Sequence, residues 1–479
     1  MKVKRLDEFM KKETASTAKQ QPTPQYEIVE FYRETEFQET EIGKIPKEWK
    51  IVQLSDLFEF QRGLSYRKYD ISSSQTLIRF ITINDLEKEG GRKHNGEPSY
   101  LLEELRSSIE KKHIAEIGDI LIAITDMSKG FIIGAPLYVD EDLRAQGEIL
   151  VYSMDLVKLQ PKKQVDTRFY YYVLMWDKIR RIMKALARGT NVLHLDLNLA
   201  KRIKLPEPPL NEQKSIAEIL AAIDNAIESV DRDIAKLERL KRALMRELLT
   251  GRVRVREENG KLVFYRETAF QETEIGKIPR EWKVVRFKEV AEIRKGKRIP
   301  ERVKSVAFIP MEAIPDNSLY VKYKLRNVNE VKSYVYCEPG DILLAKITPS
   351  FENGKQGIVP EELQGKIVLA TTEVYPISCK NIDKYFLFYL LKYPPIRNKL
   401  TSLMRGTTGR KRVPREALEE LLLPYPPITE QQKIAEILST IDKAIELYYE
   451  KKMRFKRLKR GLMDLLLTGK VRVRVKPAS

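Results

Sequence analysis

The chain has 479 residues, of which 42% are hydrophobic and 32% charged, so at about 150 residues per domain it should form two to four domains with real cores. Its 87 Lys and Arg against 68 Asp and Glu give a formal charge of +19, which points to a polyanionic partner, nucleic acid first, with a merely basic thermophile-type surface as the competing reading. Two cysteines (Cys337, Cys379) and three scattered histidines (His94, His113, His194) argue against a disulfide framework, a Cys/His metal site or a histidine-centred hydrolase.

Residues 1–25 have no apolar signal core and read as a flexible arm. No apolar run reaches the ~18 residues of a membrane helix, so a cytoplasmic protein without membrane contact is expected. Residues 26–205 form the first domain. Short β-rich runs (Phe80–Ile83, Gly118–Thr125, Gly130–Val139) are followed by a helical stretch, Thr167–Ala187. The aromatic stripe Phe169, Tyr170, Tyr172 and Trp176 reads as core rather than as a base-stacking platform.

Residues 206–255 hold a long helix, expected from Asn211 as N-cap to Thr250, with Gly251 ending it. Ile216, Leu220, Ile223, Ile227, Val230, Ile234 and Leu237 alternate four and three apart, a coiled-coil spacing. Forty residues make a rod of roughly 60 Å. Residues 256–423 form a second domain, with β-rich runs Val306–Met311 and Lys366–Ile377 and a helical stretch Lys384–Met404 that Pro394 and Pro395 must break or kink. Residues 424–479 bring a second long helix and a tail. Its stripe is Ile434, Leu438, Ile441, Ile445, Tyr448, Phe455 and Leu458, with Lys452 as an interruption. Two rods of one length most simply pair with each other.

The chain repeats itself. Phe31–Leu54 and Phe264–Phe287 match at 19 of 24 positions, and Pro206–Val255 and Pro424–Val473 at 28 of 50. The segments between have drifted apart, apart from islands such as GDIL (Gly118, Gly340) and RGT (Arg188, Arg405). Two like frames around two unlike inserts suggest one scaffold carrying two readers.

No phosphate-binding loop, dinucleotide fingerprint or nucleophile elbow is present. Asp119 and Asp341 of the GDIL islands read as turn residues. Cationic, glycine-containing turns are more informative. In the first insert they supply Gln61, Arg62, Ser65, Tyr66 and Arg67; Lys129; and Arg188, Thr190 and Asn191. In the second they supply Lys295, Lys297 and Arg298; Ser350 and Lys355; and Arg405, Thr407, Arg410 and Lys411. Arg and Lys meet phosphates and guanine, while Gln, Asn, Ser and Thr read base edges. Any one such turn could equally be solvated surface. Three at matching places in both copies favour DNA contact.

The paired GKIP-x-EW openings (Gly43–Trp49, Gly276–Trp282), the late RGT and the P-x-PP-x-x-EQ-x-x-IAEIL helix starts (Pro206–Leu220, Pro424–Leu438) resemble the specificity subunits of type I restriction–modification enzymes. The resemblance covers nearly the whole chain. It implies two α/β target-recognition domains, each reading half of a split, asymmetric site on double-stranded DNA. It implies two helices paired as an antiparallel coiled coil that rules the distance between half-sites. Two methyltransferase subunits and motor–nuclease subunits would then be the partners, and S-adenosylmethionine, ATP and Mg²⁺ would be theirs, leaving this chain without catalytic residues, metal or cofactor. A coiled-coil scaffold with incidental basic surface, and a nuclease with an unrecognised site, are the competing readings.

Overall fold

The computed structural model describes residues 29–93, 96–127, 130–297, 299, 303–407 and 409–475. The expected arm, residues 1–25, lies outside them. The chain divides into two units. A central unit is Val230–Lys451, and a terminal unit runs to Ser229 and resumes at Lys452. Each unit therefore owns the front half of one long helix and the back half of the other.

The long helices are Leu210–Leu248 and Ile428–Leu466. The first starts one residue ahead of the expected cap at Asn211. The Pro209 carbonyl already accepts the Gln213 N–H at 3.0 Å, and the prolines before it cannot continue a helix upstream. In the first helix Ile216, Leu220, Val230 and Ile234 are buried, with Ile223, Ile227 and Leu237 half-buried. In the second, Ile434, Leu438, Ile441 and Ile445 are buried, and Tyr448 and Phe455 half-buried. The expected stripe fails at Leu458, which is 50% exposed. Its neighbour Lys459 turns inward instead, drawn by an ion pair to Asp224 at 2.6 Å. Lys452, half-buried, continues the stripe rather than interrupting it.

The drifted inserts keep one topology. In the terminal unit an antiparallel sheet runs Phe58–Arg62, Leu156–Pro161, Ile120–Ala123, Pro136–Tyr138. A second sheet contains one parallel pair, Ile78–Ile81 with Ile149–Tyr152. The central unit repeats both: Ala291–Ile293, Val374–Cys379, Ile342–Ala345, Gln356–Ile358 in one sheet, and Ser305–Ile309 parallel to Val368–Ala370 in the other. The single run expected over Lys366–Ile377 is thus two strands in two sheets, parted at Thr371–Glu373.

Of the break or kink expected at the prolines, the structure has a break, with Lys384–Lys392 followed by Pro394–Ser402 and the prolines in its first turn, where a missing N–H costs nothing. The first copy breaks at the same place without proline, between Thr167–Met175 and Asp177–Ala185. There the Trp176 indole N–H donates to Asp464 at 2.7 Å, so the break belongs to the architecture and the prolines adapt to it. Phe169, Tyr170 and Tyr172 are buried in a core shared with Ile216, Leu220 and Leu466, as the core reading of that stripe requires.

The near-identical frames are one packed node in each unit. In the terminal unit the buried Arg472 donates to Glu212 (2.7 and 2.9 Å), Glu34 (2.6 Å) and Glu48 (3.2 Å). The Trp49 indole N–H also donates to Glu212, at 3.1 Å. In the central unit Arg254 holds Glu430, Glu267 and Glu281 in the same way, and Trp282 donates to Glu430. The Gln beside each glutamate bonds the carbonyl of a helix-start proline (Pro208, Pro426) and accepts the N–H of Asp166 or Asp383, the cap of the domain helix. Gly469 and Gly251 have positive φ, and an added Cβ would stand 2.4 Å from Pro46 or Pro279. That contact explains why GKIP and LLTG-x-VRV stay alike together: each is the other's packing surface. In the terminal unit, Val29–Arg33 and Val471–Val475 form the strand pair that a tight hairpin, Val253–Glu258 with Lys261–Arg266, forms in the central one.

Candidate nucleic-acid interface

The RGT islands open the same device in both units. In the terminal unit Ala187–Arg188 pairs with Leu193–Leu195, which pairs in turn with Thr125–Asp126. The turn from Asp126 and the hairpin 188–195 are therefore neighbours on one small sheet. In the central unit, bridges Arg405↔Arg412 and Ile347↔Arg412 and the Thr348 N–H to the Lys411 carbonyl (3.0 Å) join turns 348–355 and 405–412 in the same way. Both RGT glycines need their special backbone. Gly189 and Gly406 have φ of +123° and +129°, and a Cβ there would meet the carbonyl oxygen of Val192 at 2.2 Å or Arg410 at 2.9 Å.

Of the expected contact residues, Arg188, Thr190, Asn191, Arg405, Thr407, Arg410 and Lys411 are exposed on these hairpins. Arg188 is engaged by Asp196 at 2.9 Å. Ser350 is half-buried. Lys355 is turned inward, donating to the carbonyls of Met311 (3.1 Å) and Ile314 (3.0 Å), so it fastens its turn rather than presenting a charge. Lys129 and Arg298 lie outside the described residues.

The remaining candidates pack elsewhere. Gln61 and Arg62 are not in a turn but in the strand opposite Lys158 and Val157. Leu64 bridges to Ser153 and the Tyr66 ring stands edge-on to Phe80 at 4.8 Å, which ties this segment to the second sheet. Burial pushes the Tyr66 hydroxyl above its usual range, with Asp155 adding to it. Ser65 and Arg67 are exposed. In the central unit Lys295 and Lys297 are exposed, with Lys297 over the Tyr336 ring at 5.3 Å. The two GDIL aspartates cap their own turns, accepting the N–H of Glu116 (2.9 Å) and Glu338 (2.8 Å), and meet Lys158 (3.5 Å) and Arg294 (2.6 Å).

Sequence reasoning missed Met127, Val192 and His194, which are exposed beside or on the first hairpin. The alternation in Val192–Leu195, outward, half-buried, outward, buried, carried that signal. It also missed Lys346, whose ammonium lies over the Tyr375 ring at 4.8 Å; burial pushes it below the usual lysine range, against the pull of Glu373.

The sequence pattern of the type I restriction modification DNA specificity domain matches residues 46–239 and again 279–455, each match running from a frame, through an insert and its hairpin, into a long helix. The chain belongs to this family. It carries two specificity domains in tandem. A putative type I restriction enzyme MjaX specificity subunit from Methanocaldococcus jannaschii is 29% identical over 93% of this chain and 99% of its own length. The MjaVIII specificity subunit of the same organism is 27% identical over 93% and 98%. A crystal structure of a type I restriction–modification system S subunit from M. genitalium shares the fold, with a TM-score of 0.53 and 16% identity over 88% of this chain and 96% of that one. Among the described residues no helix of this specificity chain is long and apolar enough to cross a membrane.

Proposed function

We propose that the chain is the sequence-specific DNA-recognition subunit of a cytoplasmic type I restriction–modification complex. Each domain reads one half of a split, asymmetric double-stranded site through its hairpin and adjoining turn. The observation that carries this is the pair of matching scaffolds with divergent tips: one topology twice, different exposed side chains at the same place. Family membership supports it.

The long helices, paired antiparallel, set the distance between half-sites and seat two methyltransferase subunits, with motor–nuclease subunits joining them. In the terminal unit, Asp224 of the first helix holds Lys459 of the second and accepts the Tyr172 hydroxyl at 2.9 Å. In the central unit, Asp442 of the second helix holds Lys241 of the first and accepts the Tyr389 hydroxyl at 2.7 Å. Front half meeting back half in both units supports the antiparallel pairing. S-adenosylmethionine, ATP and Mg²⁺ are assigned to the partners, and this chain is assigned no catalytic step. The test is exchange of residues 55–205 for another insert: one half of the methylated motif should change and the other stay. Change in both halves, or in neither, overturns the reading.

A further inference from the structure

The two hairpins share a place but not a chemistry. The single Arg of the first, Arg188, is held by Asp196 at 2.9 Å. Among the described residues, what else faces outward there is Thr190, Asn191, Val192 and His194, with Met127 beside them, and none of these is Arg or Lys. Met127 is 73% and Val192 37% exposed, on a tip where they add nothing to a core. In the second hairpin Arg412 is the held one, bidentate on Glu373 at 2.8 and 3.0 Å. Arg405, Arg410 and Lys411 remain exposed.

In the major groove these sets select different base pairs. Apolar side chains contact the thymine methyl and Asn pairs with adenine N6 and N7, whereas Arg and Lys pair with guanine O6 and N7. We propose that the terminal unit reads an A·T-bearing half-site through Met127, Asn191 and Val192, and the central unit a G·C-bearing half-site through Arg405, Arg410 and Lys411. This rests on the recognition reading above.

The test uses the full chain, purified with the subunits that accompany it. Its split motif is first selected from random duplexes. Thymines of one half are then replaced by deoxyuridine, and guanines of the other by 7-deazaguanine. Deoxyuridine should weaken wild-type binding about four-fold per lost methyl contact, the worth of one buried carbon. It should leave a Met127→Ala, Val192→Ala variant unmoved. The 7-deazaguanine duplex should weaken wild type about ten-fold or more and leave an Arg405→Ala, Arg410→Ala, Lys411→Ala variant unmoved. All five residues are exposed, so these variants keep the fold. A selected motif whose halves answer the analogues the other way, or a Met127/Val192 variant that keeps the deoxyuridine penalty, overturns the inference alone. Failure to select any sequence overturns the recognition reading and the inference with it.

Discussion

Replacing Arg472 with Met would test whether the frame node holds the terminal unit together. The Arg472 side chain is 4% exposed, and its partners Glu212 and Glu34 are 6% and 12% exposed, so methionine fills the space but leaves two carboxylates without their counter-charge. Removing one partner of such a buried network costs about 3–5 kcal/mol. At a slope of about 2 kcal/mol/M that is a fall of roughly 1.5–2.5 M in the urea midpoint. Trp49 and Trp176 lie in the terminal unit and Trp282 in the central one, so fluorescence in a Trp282→Phe background follows the terminal unit alone. Adding Glu212→Gln and Glu34→Gln to Arg472→Met should recover most of the loss, because no buried charge is then left uncompensated. A single variant within about 1 kcal/mol of wild type, or a triple variant no better than the single, would refute the charge argument.

Gly469→Ala and Gly251→Ala should each destabilise their own unit by about 1–3 kcal/mol, from positive φ and the 2.4 Å approach to proline; thermal melts unchanged within 1 °C would contradict that. Glu34 is held below the ordinary glutamate value of 4.5 by the Glu36 and Thr35 N–H groups and Arg472. At Glu267 burial pushes upward, but the Ala269 and Thr268 N–H groups and Arg254 outweigh it, and its value is lowered too. The stability these groups contribute is fully present above 4.5 and lost as pH falls through their folded values. Glu34→Gln with Glu267→Gln should therefore flatten acid unfolding below about pH 4.5, followed by circular dichroism; an unchanged acid limb would sink this. Joining the paired strands Val29–Arg33 and Val471–Val475 by a short linker, and opening the chain at Asn259–Gly260, should give a folded, DNA-binding permutant. Aggregation of that permutant under conditions where wild type stays soluble would count against the equivalence of the two strand pairs.

How far the sequence spoke depended on periodicity and repetition. The helices were legible because apolar residues recur every three to four positions over many turns, and the end at Gly251 follows from backbone chemistry; the prolines marked the break before Pro394, which the first copy makes at Trp176 without them. The stripe misled at Leu458, where an ion pair, invisible to hydropathy, pulled Lys459 inward, and at Lys452, which is half-buried in the stripe rather than interrupting it. The two inserts were legible as α/β domains, but not their common topology, because pairing such as Phe58–Arg62 with Leu156–Pro161 joins strands about a hundred residues apart. At the candidate interface, glycine and charge marked the RGT hairpins. They could not tell a presented lysine, such as Lys411, from one spent on carbonyls, such as Lys355. Nor could they mark Met127, whose exposure is decided by its place beside the hairpin.

The central claim is that each unit specifies one half of a DNA site. A modified-base map of the host genome, made with the wild-type gene and with residues 55–205 exchanged for an unrelated insert, tests it most directly. The account predicts one split methylated motif in which one half is rewritten and the other half and the gap persist. A motif altered in both halves, or in neither, would contradict it.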